Sequence, residues 1–248
     1  MSEYEGFRAI VTGGASGIGQ ATVLELQARG AKVAALDLNP GSDAGITQIT
    51  CDVSDAESVS QAVQQAAEIL GGIDIVVNNA GIGARGTIED TPDDVFLSLF
   101  DVNVLGAVRV TRAALPFLRQ SDAPAVVNTC SIAAWTGLQQ RAAYSTSKGA
   151  LQALTLAMAS DHVREGIRVN AVMPGTAATP WVQRLLDSAT DPAAERAALD
   201  ARQPLGRLVE ADEVATAICY LASPRSGSTT GALLAVDGGS HGLLPIPK

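Results

Sequence analysis

With 248 residues and 47% apolar side chains, the chain can bury a sizeable core, and an α/β fold of this length is routinely one domain, here residues 1–248. A formal charge of −9 opposes binding to nucleic-acid phosphates or an anionic membrane surface, so neither is expected as a partner. Three widely spaced cysteines (Cys51, Cys130, Cys219) fit reduced core thiols rather than a disulfide framework, and two histidines make a metal site improbable.

The opening Met-Ser-Glu-Tyr-Glu has no basic or apolar leader region, and no apolar run approaches bilayer length, which predicts a cytoplasmic protein. An apolar run over 8–12 then leads into Thr12-Gly13-Gly14-Ala15-Ser16-Gly17-Ile18-Gly19 and an amphipathic stretch over 20–29, the order strand, glycine turn, helix. Glycines allow close backbone approach, and the free amides at a helix N-terminus attract a pyrophosphate. Further β-rich runs occupy 32–36, 48–51, 73–77, 125–130, 168–173 and 232–236, with helical patterns between them. Such alternation predicts a doubly wound parallel sheet of about seven strands. Ser54-x-x-Glu57 reads as a capping box for the helix of 59–70, and Thr91-Pro92 as another helix start with proline at its first position.

Tyr144-Ser145-Thr146-Ser147-Lys148 places a phenol and an ammonium at i and i+4, on one face of a predicted helix. A cation beside a phenol favours the phenolate, and a phenol so poised suits general acid/base chemistry. The glycine turn of Thr12 to Gly19, Asn78-Asn79-Ala80-Gly81, Asn103, Ser131 thirteen residues before Tyr144, the Tyr-x-x-x-Lys pair and Pro174-Gly175 with Thr179 together resemble the short-chain dehydrogenase/reductase family, nearly end to end.

The resemblance implies a single-domain, Rossmann-type α/β fold and an oxidoreductase in which Asn103, Ser131, Tyr144 and Lys148 are catalytic. It implies a dinucleotide held by Gly13, Ser16, Gly17, Ile18 and Gly19, by Asp37 at the adenine ribose and by Asp52 and Val53 at the adenine. Asn79, Ala80 and Gly81, Tyr144 and Lys148 at the nicotinamide ribose, and Pro174, Gly175, Ala177 and Thr179 over the nicotinamide complete that set. Ala177 departs from the Ile or Val common in the family, which predicts a looser fit of the ring. Family habit also implies a homo-oligomer, a tetramer or a dimer, packed through the helices of 103–118 and 143–162. The apolar tail of 242–247 would pack on a neighbouring copy or fold back over its own lid.

Residues 176–204 are expected to close over the site as a lid. Arg141 before Tyr144, with Arg202-Gln203-Pro204 downstream, resembles the subgroup of 3-hydroxybutyrate and 2-keto-3-deoxy-L-fuconate dehydrogenases, whose arginines grip a carboxylate. Arg141 and Arg202, with Arg85 as a third candidate and Trp181 on the lid, are therefore the expected substrate residues, for a small-molecule hydroxy acid or sugar acid. A neutral sugar or another secondary alcohol, and a non-catalytic dinucleotide-binding sensor, remain alternatives.

Asp37 ends the second strand, where a carboxylate accepts bonds from both ribose hydroxyls and repels a 2′-phosphate, by about 4 kcal/mol per unit charge at 4 Å with an effective dielectric near 20. NAD is the expected cofactor. Asp37→Ala should narrow the preference for NAD over NADP; steady-state kinetics with both coenzymes and an unchanged preference would reject the assignment.

Overall fold

A computed structural model describes residues 2–41, 45–187 and 189–244. In chain order the elements are β1 (Arg8–Thr12), α1 (Gly17–Ala28), β2 (Lys32–Asp37), β3 (Thr47–Thr50), α2 (Ala56–Leu70), β4 (Ile75–Asn78), α3 (Asp93–Phe100), α4 (Gly106–Leu118), β5 (Ala125–Thr129) and α5 (Ala142–His162). There follow β6 (Arg168–Pro174), β7 (Ala177–Ala178), α6 (Pro180–Asp187), α7 (Pro192–Ala201), β8 (Val209–Glu210), α8 (Ala211–Ala222) and β9 (Leu233–Val236). A π-helical turn, Asp101–Leu105, joins α3 to α4.

Seven strands form one all-parallel sheet in the order β3-β2-β1-β4-β5-β6-β9. A parallel sheet is covered on both faces, so its strands read as continuous apolar runs, and here alternate residues serve opposite layers. Ile10, Ala34, Val76, Val126 and Val169 pack with α2, α4 and the end of α5, whereas Ala9, Val11, Ala35, Val77 and Val127 pack with α1 and α8. The fold is thus a single-domain, doubly wound, Rossmann-type α/β structure, with its main sheet of seven strands. Among the described residues no helix is long and apolar enough to cross a membrane.

The direction of winding reverses between β1 and β4, and a crevice opens there at the carboxyl ends of the strands. Thr12 pins it: its hydroxyl accepts from the amides of Asn79 and Ala80, while the Asn79 side chain donates to the carbonyls of Thr12 and Gly13. Gly19 is required behind this turn, because a Cβ on it would lie 2.0 Å from the Gly13 carbonyl oxygen.

Two local expectations change, and a third falls largely outside the described residues. Helix α2 is capped by Asp55, whose carboxylate accepts from the amides of Glu57 and Ser58; Ser54 is diverted, donating its hydroxyl to Asp52. Pro92 is the cap residue of α3 and lies one position before its first turn. Of the apolar tail, residues 245–247 lie outside the described residues, while Leu243 folds back so that its side chain covers Gly239.

Loss of an Asp cap costs about 1 kcal/mol, or roughly 2–4 °C in a domain of this size. Thermal melts should therefore show Asp55→Ala lowering Tm by that amount and Ser54→Ala by less; the reverse order would restore Ser54 as the cap.

Candidate active site

The crevice continues into a cleft of about 560 Å³ that runs from the glycine turn to the lid. At one end Gly13, Ser16, Gly17 and Ile18 line it. Ser16 precedes α1 without capping it through its side chain, so the amides of the first turn remain available to a ligand. A Cβ on Gly13 would come within 3.0 Å of the Ala80 Cα, and Gly17 has φ +55°, a conformation side chains rarely adopt. This cradle and its free donors fit a pyrophosphate.

Asp37 and Asp52 line the same end. One Asp37 oxygen accepts from the Ala15 amide and the other from the Asn39 amide, and each keeps a lone pair for a further donor. The hydroxyl and amide of Ser54 donate to Asp52 and hold its carboxyl below the ordinary range. Val53 completes the wall. Cys51 and Cys130 also line the cleft, but burial pushes both thiols up to about 11, so neither is a thiolate near neutral pH.

At mid-cleft, β5 ends in Thr129 and the chain continues through Ser131 to α5. Lys148 is 5% exposed, and its ammonium donates to the Thr129 carbonyl at 2.8 Å and lies 5.8 Å from the centre of the Tyr144 ring. The Ser131 hydroxyl accepts from the Ala133 amide at 3.1 Å, which orients it and leaves its proton to donate. Asn79, Ala80, Gly81, Pro174, Gly175, Ala177 and Thr179 line the surrounding walls, as do Arg141, Trp181 and Arg202 on the lid side.

Three expected site residues do not line the cleft. Asn103 is buried behind it in the π-helical turn; its amide nitrogen donates to the Ile82 carbonyl and to Ser147 Oγ, and its oxygen accepts from the Ile82 amide. Ser147 in turn donates to the Tyr144 carbonyl, so Asn103 braces the Gly81-Ile82 loop against α5. Gly19 supports the turn from behind, as its contact with Gly13 requires. Arg85 forms an ion pair with Glu195 of α7 and so ties the Gly83–Arg85 loop to that helix.

Arg141 is different. It sits just before α5, donates to the Ala84 carbonyl at 3.0 Å and lies 5.9 Å above the Trp181 ring. Burial, then the neighbouring guanidinium of Arg85, lower its proton affinity; Tyr144 opposes this, Arg202 adds to it and Glu195 opposes it more weakly. Trp181 itself rests on Gly83, where a Cβ would come within 2.9 Å of the ring. That contact joins residues far apart in sequence and has no local signal. Arg184, which also lines the cleft, was legible only as one of several basic residues in the lid.

A family model described as enoyl-(acyl carrier protein) reductase matches residues 13–241. The chain is 38% identical to the cis-4-hydroxycyclohexanecarboxylate dehydrogenase of Sinomonas cyclohexanicum, over 93% of this chain and 95% of that one. It is 37% identical to the 2-(R)-hydroxypropyl-CoM dehydrogenase of Xanthobacter autotrophicus, over 93% and 96%. The ligand-free aldohexose dehydrogenase of Thermoplasma acidophilum superposes with a TM-score of 0.93 at 32% identity, over 100% of this chain and 98% of that one. Fold, cleft and relatives agree: the chain belongs to the short-chain dehydrogenase/reductase family and is an NAD(P)(H)-dependent oxidoreductase acting on an alcohol or ketone.

Proposed function

We propose that the protein is an NAD-dependent dehydrogenase of a hydroxy acid or sugar acid, with Tyr144 as its general acid/base. The observation that carries this reading is the Lys148 ammonium, buried beside the Tyr144 ring and held there by the Thr129 carbonyl. From there the ammonium can stabilise the charge that develops on the phenol oxygen as its proton moves.

Bound NAD would supply the hydride acceptor. Tyr144, as phenolate, takes the hydroxyl proton while the carbinol carbon gives up its hydride; in the reverse direction the phenol protonates the alkoxide oxygen. Ser131 donates its hydroxyl to the substrate oxygen, where negative charge develops. Lys148 would also hold the nicotinamide ribose, and Asn103 acts one layer back by holding the backbone of Tyr144 through Ser147. Asp37 favours NAD because its free lone pairs accept ribose hydroxyls and its charge repels a 2′-phosphate. Pro174, Gly175, Ala177 and Thr179 close over the nicotinamide.

Arg141 and Arg202 grip the substrate carboxylate, and Trp181 walls that end of the cleft. Support comes from Arg141 and Arg202, which line the same end of the cleft as Trp181, and from a relative whose name joins a hydroxyl to a carboxylate. A similar aldohexose dehydrogenase favours, as second reading, a neutral sugar. Exposed Leu105 and Leu156, beside α4 and on α5, support a homo-oligomer.

Tyr144→Phe should lower turnover at least about 100-fold while NADH affinity stays near wild type. Near-normal turnover would remove the acid/base assignment, and a wild-type protein that binds NADH but reduces no NAD with any hydroxy acid or sugar would favour a sensor. Arg141→Ala should raise KM for an acid substrate by roughly tenfold or more and leave its neutral lactone or alcohol analogue unaffected. Equal efficiency of wild type on acid and neutral analogue would select the sugar reading instead.

A further inference from the structure

Helix α6 is the floor of the lid, and its four longitudinal rows have four different environments. Val182 and Leu186, four apart, are buried against Leu199 and Leu208. Gln183 and Asp187 form the outer row, with the Gln183 amide donating to the Asp187 carboxylate at 2.8 Å. Trp181 begins the row that meets Gly83 and Arg141, and Leu185, next along it, lines the cleft.

The remaining row is Pro180 and Arg184. Thr179 and Pro180 lie directly against Gly17 of the glycine turn: a Cβ there would sit 3.3 Å from Thr179 and 3.7 Å from Pro180. Side chains of a helix lean toward its N-terminus, so the long Arg184 side chain is carried back over Pro180 toward that turn. Arg184 lines the cleft. The other cations of the lining, Arg141, Lys148 and Arg202, belong to the Tyr144 and Trp181 side by the contacts described above.

We propose that Arg184 is a coenzyme-binding residue: its guanidinium pairs with the pyrophosphate of the dinucleotide, opposite the amides at the start of α1. A planar fork of donors matches phosphate oxygens, and the pairing gives the lid a charge-assisted bond to the coenzyme. Because Trp181 is on the adjacent row of the same helix and already rests on Gly83 beside Arg141, a pyrophosphate held by Arg184 would tie that packed end of the lid to the coenzyme. One helix thereby couples the coenzyme site to the substrate end. The inference rests on the dinucleotide reading of the cleft.

The test is equilibrium binding, by fluorescence titration of NADH and by competition with ADP-ribose and with adenosine, for wild type, Arg184→Gln and Arg184→Lys. Arg184→Gln should raise the Kd of NADH and of ADP-ribose about tenfold or more, Arg184→Lys by less, with adenosine unchanged. The dependence of NADH affinity on salt should also become shallower in Arg184→Gln. NADH affinity equal to wild type in Arg184→Gln, or an equal loss for adenosine and ADP-ribose, would overturn the assignment while leaving the dinucleotide site intact. Failure of the wild-type protein to bind NADH would overturn the dinucleotide reading and this inference with it.

Discussion

A buried ammonium fixes the geometry of this protein's cleft. Removing a cation from water is costly unless acceptors meet it, and Lys148 is met by a strand-end carbonyl, Thr129, at 2.8 Å. The bond sets the register of α5 against the end of β5. Register then determines where Tyr144 stands one turn earlier, and Gly81 leaves room beside Asn103, whose Oδ1 a Cβ would crowd at 3.0 Å. Asn103, Ser147 and the Ile82 backbone complete the brace from behind.

Around that fixed point the cleft is electrically divided. Its glycine end carries Asp37 and Asp52, its substrate end carries Arg141 and Arg202, and Arg184 lies between them on the lid, in a chain whose net charge is −9. Acidic groups suit neutral ribose hydroxyls, whereas guanidinium groups suit anions, so a ligand with a sugar at one end and negative charge further along matches the division. The lid joins the two halves through contacts made by side chains remote in sequence: Arg85 with Glu195, Trp181 with Gly83, and Thr179 with Gly17.

Much of this was legible in the chain. Strands buried on both faces leave continuous apolar runs, so seven runs became seven strands, with ends moved by a residue or two, as where Cys130 falls outside β5 and Ile73 precedes β4. Motif spacing brought Tyr144, Lys148, Ser131 and the glycine turn into one cleft. What motifs do not distinguish is a residue on the cleft wall from one behind it, and Gly19 and Asn103 lie behind it. The ion pair of Arg85 had no local signal because its partner, Glu195, is remote in sequence, and Asp55 displaced Ser54 because both are good caps and only the fold shows that Ser54 is already bonded to Asp52.

The most direct test of the account is a crystal structure of the protein with NAD and a small carboxylic acid. The account predicts the Tyr144 hydroxyl within hydrogen-bond reach, ~2.6–3.2 Å, of the acid's carbinol or carbonyl oxygen, with the nicotinamide alongside and the pyrophosphate at the first turn of α1. A phenol turned away from the ligand, or a dinucleotide bound outside this cleft, would contradict it.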